Sequence, residues 1–180
     1  MTETNVDLIV IGGGLVGLTA GLALAKYGLE VAVLARDQTV QDQRTTALLH
    51  DSTEFLSSLG LWQQIETHSH PLKTMRIIDG TSRLIRMPTG EFHASEVDLD
   101  AFGYNVRNSD LLQALEGEIS RQDNIDLIVG TMDTISLTEP NRITIRFQDR
   151  MGESQMLSCG FVVGADGRNS SVRTHFNYGA

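Results

Sequence analysis

The residues best placed to do chemistry form a glycine-rich turn near the amino terminus. Gly12, Gly14 and Gly17 match the spacing G-x-G-x-x-G. In this pattern the first glycine permits a tight turn, the second lets the backbone approach a pyrophosphate, and the third lets a helix pack closely on a strand. The amino terminus of that helix, which begins at Leu15, adds free N–H groups and roughly half a positive charge. The spacing predicts a phosphate-binding turn that includes Leu15.

The segments around the glycines favour the same structure. Asp7–Ile11 is a short apolar run typical of a buried strand, Leu15–Tyr27 has helical spacing before Gly28, and Glu30–Leu34 predicts a second strand. The order of strand, glycines, helix and strand makes the motif specific. Leu8–Ala25 has 18 residues without a charge, as in a membrane span. Its three consecutive glycines favour a strand, a turn and a helix instead.

The acidic residue expected after the second strand is missing. An Asp or Glu there binds the adenosine ribose hydroxyls in dinucleotide sites, but this position is Ala35. Arg36 follows, and an arginine there could accommodate a 2′-phosphate, which would favour NADP. Asp37, two residues on, is a second candidate for the ribose contact. The turn alone therefore does not identify the dinucleotide.

A second ligand-facing segment is predicted near the carboxyl terminus. Phe161–Gly164 is another apolar run, and Asp166-Gly167 follows it. Ligands bind at the carboxyl ends of strands in open α/β sheets, so Asp166 is a candidate polar contact. An ordinary Asp-Gly turn is the alternative.

The remaining segments predict an α/β fold. We expect a helix over Thr45–Leu59, and paired strands at Met75–Ile78 and Arg83–Met87 around a hairpin turn at Asp79-Gly80. Further expected elements are a strand at Tyr104–Arg107, a helix capped by Asn108 or Ser109, a strand at Asp126–Val129 and an antiparallel meander within Thr131–Ser158. The polar stretch Asp37–Arg44 is expected to be a loop. Together these elements predict a Rossmann-like domain with a central parallel sheet, helices on its faces and a small antiparallel meander.

Composition excludes several classes of protein. The chain has 180 residues, 41% of them hydrophobic, which is enough for one domain with a sizeable core. Fourteen basic and 23 acidic residues give a net charge of −9, which argues against a nucleic-acid partner. The single cysteine, Cys159, is expected to be a small buried strand residue in a protein of a reducing compartment. Met1–Asp7 does not look like a secretory signal, so a cytoplasmic location is expected. His68 and His70 lack metal-ligand spacing, and no metal is expected.

Several motifs in order resemble one family. The glycine turn is followed by Arg44 with Thr45–Leu48, by Val106–Leu111, and by Gly164–Gly167 with Ser170–Arg173. This set resembles the FAD-dependent aromatic-ring monooxygenases related to p-hydroxybenzoate hydroxylase. The patterns at Arg44, Leu59–Trp62 and Asn108 look most like the ubiquinone-biosynthesis hydroxylases.

The resemblance implies a role for each matching residue. The three glycines would hold the FAD pyrophosphate, and Arg44 would lie near the FAD phosphates and the path of the nicotinamide cofactor. Asn108 would lie beside the flavin, and Asp166-Gly167 would serve both FAD and NAD(P)H. Residues 1–180 would then be the FAD-binding domain, the front part of a longer architecture. The family's later Gly-Asp motif and its substrate-covering sheet are not found in the sequence.

The resemblance also implies an activity. The family reduces FAD with NAD(P)H and transfers one oxygen atom from O2 to a phenolic ring, here expected to be a ubiquinone-biosynthesis intermediate. A prenylated substrate would imply peripheral contact with a membrane or with other ubiquinone-biosynthesis proteins. No side chain is identified as catalytic. The alternatives are another FAD oxidoreductase of the same fold, and a truncated or degenerate nucleotide-binding domain without activity.

Overall fold

The computed structural model describes residues 3–37 and 42–178, which form a mixed α/β structure. The strands are β1 (Glu3–Asn5), β2 (Leu8–Ile11), β3 (Val31–Ala35), β4 (Thr45–Leu49), β5 (His70–Pro71), β6 (Thr74–Ile77), β7 (Gly90–His93), β8 (Gly103–Arg107), β9 (Ile125–Glu139), β10 (Arg142–Asp149), β11 (Ser154–Cys159) and β12 (Phe161–Gly164). The helices are α1 (Leu15–Ala25), α2 (His50–Ser58), α3 (Trp62–Glu66), α4 (Asn108–Ile119) and α5 (Ser171–His175), with a 3-10 turn over Ala94–Val97.

The chain divides into two compact units, one formed by residues 1–42 and 111–180 and the other by residues 43–110. The first unit contains a sheet with the strand order β1-β11-β10-β9-β3-β2-β12. Strands β12, β2, β3 and the first part of β9 run parallel, whereas β9, β10 and β11 form an antiparallel meander. This arrangement confirms the predicted fold class. Of the predicted loop Asp37–Arg44, residues 38–41 lie outside the described residues.

The parallel part of the sheet forms because its strands are apolar along their whole length. Every residue of β2 and β3 is buried, as expected of strands covered on both faces. Helix α1 packs on them, and a Cβ on Gly21 would come within 2.8 Å of Val33, so a small residue lets the helix approach. Leu8–Ala25 is thus a strand, a turn and a helix. Among residues 3–37 and 42–178, none of the helices has the length and apolar character that a membrane span requires.

The core of the first unit lies between the parallel strands and the meander. Its buried side chains come from β2, β3, β9, β10 and β11, and are Ile9, Ile11, Ala32, Leu34, Ile135, Ile145, Phe147, Leu157 and Cys159. Cys159 is 2% exposed and lies on β11, which confirms the prediction of a small buried strand residue. Burial raises the pKa of its thiol, against the effect of backbone hydrogen bonds from Ile9 and Phe161.

In the second unit, the predicted helix over Thr45–Leu59 is wrong in its first part. Thr45–Leu49 is β4, which pairs antiparallel with β8, and the helix begins only at His50. Thr46 and Leu48 are half-buried while their neighbours are exposed, so the burial along this segment has a period of two. The pairing with a strand more than 50 residues later determines its conformation.

The predicted hairpin between Met75–Ile78 and Arg83–Met87 is also wrong. Strand β6 pairs with β7, and Arg83–Met87 is not a strand. The Asp79 carboxylate accepts hydrogen bonds from the backbone N–H groups of Thr81 at 2.9 Å and Met87 at 3.1 Å. Both bonds lower the pKa of Asp79, and the bond from Thr81 has the larger effect. The side chain therefore closes a wide loop where the sequence predicts a two-residue turn.

A candidate dinucleotide-binding cleft

A cleft of about 260 Å³ opens in the first unit at the carboxyl ends of the parallel strands. Strand β2 lies between β3 and β12 in the sheet. From β2 the chain passes through α1 to β3 on one side, whereas β12, on the other side, comes from the end of the chain. Such a point, where neighbouring strands connect in opposite directions, is where open α/β sheets bind ligands. The lining includes Gly12, Gly13, Gly14, Arg36, Asp166 and Gly167. Most of the predicted site residues of this unit thus meet at one edge of the sheet.

Gly12 lies in close contact with both strands that flank β2, namely β3 and β12. Its φ is +129°, and a Cβ there would overlap the carbonyl group of Ala165, which follows β12. Its N–H donates a hydrogen bond of 2.9 Å to the Leu34 carbonyl oxygen of β3, and the Ala165 N–H donates one of 2.8 Å to the Ile11 carbonyl oxygen. Only glycine meets these conditions without strain, as the sequence predicts.

Gly14 provides the open approach that a phosphate needs. It precedes α1 in an extended conformation, and no atom lies within 4 Å of the position that its Cβ would occupy. Among the described residues, the N–H groups of Gly13 and Gly14 make no hydrogen bond. Two free donors, an empty space beside them and a helix amino terminus are what a pyrophosphate requires, so these residues fit a dinucleotide. Leu15 is half-buried in the first turn of α1 and does not line the cleft.

Asp166 lines the cleft, but its carboxylate is held by the start of α5. Oδ1 accepts a hydrogen bond from the Ser170 hydroxyl at 2.5 Å. Oδ2 accepts bonds from the Ser171 N–H at 2.6 Å, the Ser171 hydroxyl at 2.7 Å and the Val172 N–H at 3.3 Å. Partial burial raises the pKa of Asp166, but these bonds outweigh it and the pKa falls below its ordinary value. Asp166 is therefore an anion that fixes the loop around Gly167.

The β3 side of the cleft carries a positive charge in place of the expected acid. Ala35 is 7% exposed, and a Cβ on Gly13 would overlap its methyl group. Arg36 is exposed, lines the cleft and makes no hydrogen bond or ion pair with the described residues. Asp37 lies 3.6 Å from Arg150 and is not among the residues that line the cleft.

Arg44 and Asn108 belong to the second unit, where the pairing of β4 with β8 brings them together. The Asn108 N–H donates a hydrogen bond of 2.9 Å to the Arg44 carbonyl oxygen. Asn108 is 8% exposed, and its Oδ1 accepts a hydrogen bond of 2.6 Å from the Thr46 hydroxyl. A buried amide held in this way has a fixed orientation.

The residues that line the cleft also include Gly130, Met132 and Ser171, to which sequence reasoning assigned no role in the site. Gly130 lies where β9 passes from parallel to antiparallel pairing, and a Cβ there would come within 2.5 Å of the Phe147 ring and 2.7 Å of the Gln148 carbonyl oxygen. An isolated glycine inside a strand pattern was the available signal. In the described part of the chain, no group of three or more His, Cys, Asp or Glu side chains could hold a metal ion.

The fold and the cleft together are those of a dinucleotide-binding protein of the α/β class, with a glycine-rich turn after β2 and an Asp-Gly loop after β12. The FAD binding domain family matches residues 5–179. The chain belongs to this family.

Curated relatives of the chain are hydroxylases by name. The chain is 32% identical to the ubiquinone hydroxylase UbiL of Rhodospirillum rubrum, over 93% of this chain and 38% of UbiL. It is 28% identical to 3-demethoxyubiquinol 3-hydroxylase of Escherichia coli, over 96% of this chain and 44% of that enzyme. The chain therefore spans about two fifths of the length of these relatives.

Solved structures share the fold. The p-nitrophenol 4-monooxygenase PnpA of Pseudomonas putida superposes with a TM-score of 0.80 at 20% identity, over 98% of this chain and 44% of PnpA. The flavin-dependent monooxygenase PieE, solved with FAD and substrate, superposes with a TM-score of 0.78 at 22% identity, over 96% of this chain and 32% of PieE.

Proposed function

We propose that this chain is the FAD-binding part of an aromatic hydroxylase that uses NAD(P)H and O2 to hydroxylate a phenolic ring. The observation that carries the proposal is the empty space at Gly14, beside the free N–H groups of Gly13 and Gly14 in the cleft. Membership of the FAD binding domain family supports the cofactor. Bound FAD would supply the redox chemistry of the reaction.

The residues of the chain would bind and orient that cofactor. The N–H groups at the start of α1 would hold the pyrophosphate, and Gly12 and Gly17 would keep the turn in place without side chains of their own. Asp166 would fix the loop at Gly167, which lines the cleft and has a positive φ of +86°. By resemblance, we place Arg44 near the FAD phosphates and the path of the nicotinamide cofactor, and Asn108 beside the flavin.

We further propose a ubiquinone-biosynthesis intermediate as the substrate class. The names of two relatives support this choice, since one is a ubiquinone hydroxylase and the other a 3-demethoxyubiquinol 3-hydroxylase. Such a substrate is a phenolic ring that carries a prenyl tail, so contact with a membrane or with other ubiquinone-biosynthesis proteins is part of the proposal.

Titration with FAD tests the cofactor, and NAD(P)H oxidation tests the reaction. We expect the purified chain to bind one FAD, seen as quenching of flavin fluorescence and as a yellow complex that survives gel filtration. We then expect NAD(P)H oxidation to rise on addition of a short-tailed ubiquinone precursor. A colourless protein with unquenched flavin would contradict the proposal at its first step. A yellow protein that never oxidises NAD(P)H would be an FAD-binding module only.

A further inference from the structure

The β6–β7 loop, residues 78–89 of the second unit, carries large apolar side chains that face solvent. Leu84 is fully exposed and Ile85 is 87% exposed, and Ile78 and Met87 in the same loop are exposed as well. A single apolar side chain on a protein surface is ordinary. Four of them within one short loop are typical of a surface that contacts a partner.

Asp79 fixes the two ends of this loop relative to each other. Its Oδ1 accepts a hydrogen bond of 2.9 Å from the Thr81 N–H, and its Oδ2 accepts one of 3.1 Å from the Met87 N–H. Leu84 and Ile85 lie in the middle of the segment that these bonds close. A loop closed in this way loses less conformational entropy on binding than an open chain would.

The exposed part of the loop is positively charged. Residues 81–89 contain Arg83 and Arg86 and no acidic residue. Both arginines are exposed, and neither makes a hydrogen bond or an ion pair with the described residues. They flank Leu84 and Ile85 directly, in a chain whose net charge is −9. The loop is therefore a local site of positive charge around an apolar centre.

The order of residues Arg83, Leu84, Ile85 and Arg86 fits the surface of a bilayer that contains anionic phospholipids. Apolar side chains of a peripheral protein enter the boundary between headgroups and acyl chains, while arginine stems pack there and their guanidinium groups bind lipid phosphates. The N–H and C=O groups of an irregular loop must remain hydrated, so only side chains enter and the insertion is shallow. A protein partner would instead need a matching pocket with carboxylates on either side.

We propose that the β6–β7 loop binds the surface of an anionic phospholipid bilayer, with Leu84 and Ile85 in the acyl boundary and Arg83 and Arg86 on lipid phosphates. The inference rests on the proposed function for the presence of a membrane near the substrate. It adds the surface of the chain that makes the contact and the lipid chemistry that this surface recognises. The contact itself needs no flavin.

Co-sedimentation of the full chain with vesicles tests the proposal. One set of vesicles is phosphatidylcholine alone, and the other is one third phosphatidylglycerol. We expect binding to the mixed vesicles, and a double variant L84Q/I85Q should lower the partition coefficient at least roughly tenfold, because two apolar side chains no longer enter the bilayer. R83Q and R86Q should each lower it roughly fivefold, and only on the anionic vesicles.

Two matched controls lie in the first unit. L137Q changes an apolar side chain of β9 that is 71% exposed, and R146Q removes an exposed arginine of β10. Neither should alter the partition coefficient. All of these substitutions are at exposed positions, and circular dichroism checks that each variant is folded. A loss in the controls as large as in the loop variants would overturn the inference.

Tryptophan fluorescence tests the insertion directly. In L84W the new indole should shift to shorter wavelength on addition of mixed vesicles and should be quenched by lipids with brominated acyl chains. L137W, with the same native Trp62 as background, should show neither effect. Absence of quenching in L84W, or equal quenching in both variants, would overturn the inference.

Sedimentation without vesicles distinguishes a lipid surface from a second copy of the chain. Dimers that L84Q/I85Q disperses, together with no binding to vesicles, would assign the loop to self-association and overturn the proposal. Titration with FAD separates the inference from the proposed function. A chain that binds FAD but no vesicles would refute only the membrane loop, whereas one that binds vesicles through Leu84 and Ile85 but no FAD would refute only the cofactor.

Discussion

The carbonyl oxygen of Gly12 occupies the space that a Cβ on Gly17 would need. Helix α1 therefore lies directly on the turn that precedes it, and the contact is between two backbone segments that cannot move apart without disturbing β2. We expect G17A to lower the free energy of unfolding by about 3 kcal/mol, the upper end of the range for overpacked sites. Urea unfolding followed by circular dichroism measures the loss. An unchanged midpoint would contradict this packing.

Gly14 is the matched control, since it lies in the same turn but has open space around it. No atom lies within 4 Å of its Cβ position, and its φ of −83° suits any residue. We expect G14A to change the free energy of unfolding by less than about 1 kcal/mol. The new methyl group would occupy the space proposed for the pyrophosphate, so the affinity for FAD should fall at least roughly tenfold. Fluorescence titration of the folded variant measures this. An unchanged affinity would place the pyrophosphate elsewhere.

The conformation of the glycine-rich turn could be predicted from sequence because most of its determinants are local. Gly17 lies against the Gly12 carbonyl oxygen of the same turn, Gly14 leaves open space before α1, and the flanking strands are buried apolar runs. Gly12 shows the limit of this reasoning. Its positive φ was predictable from the motif, but its contact with the Ala165 carbonyl group depends on β12, about 150 residues later.

The second unit was harder to predict because its strands pair with distant partners. Leu48, Leu49, Phe55 and Leu56 have helical spacing, yet Leu49 and Phe55 are 58% and 46% exposed. The antiparallel pairing of β4 with β8 overrides that local pattern. The Asp79-Gly80 pair likewise predicts a tight turn, but the bond from the Met87 N–H to Asp79 makes a wider loop. No local signal indicates Gly90–His93 as the partner of β6.

At the site, the sequence predicted where residues lie in the fold better than which hydrogen bonds and ion pairs their side chains make. Asp166 follows the carboxyl end of β12 as expected, but the motif did not indicate that its oxygens hold the start of α5. Asp37 was a reasonable candidate for the ribose contact, and only the structure shows it beside Arg150. Both cases concern the direction of a charged side chain, which depends on its hydrogen-bonding and ionic partners and not on the spacing of a motif.

Thr46 and Asn108 provide a test of the second unit. The Thr46 hydroxyl donates a hydrogen bond of 2.6 Å to the buried Asn108 Oδ1. T46V keeps the shape of the side chain but removes the donor, so we expect the free energy of unfolding to fall by about 1 kcal/mol. T46S retains the hydroxyl, so its free energy of unfolding should fall by less. Urea unfolding of both variants measures the difference. Equal losses would assign the effect to packing of the methyl group and not to the hydrogen bond.

Asp166 predicts a dependence of stability on pH. Its pKa is held below the ordinary value of 3.8, since the bonds from Ser170, Ser171 and Val172 together outweigh burial. A depressed pKa in the folded state contributes stability that is present above about pH 4 and is lost as the pH falls through the folded pKa. We expect D166N to lower the free energy of unfolding by about 1–2 kcal/mol at pH 7.

That difference between D166N and the wild type should narrow below pH 4, where protonation removes the same anion from the wild type. Urea unfolding of both proteins at pH 7, 5, 4 and 3 measures how this difference in the free energy of unfolding changes. D133N, which removes an exposed carboxylate on β9, is the control and should change little at any of these values. A loss in D166N that stays constant down to pH 3 would mean that the carboxylate charge does not stabilise the start of α5, and that the side chain acts there through its shape alone.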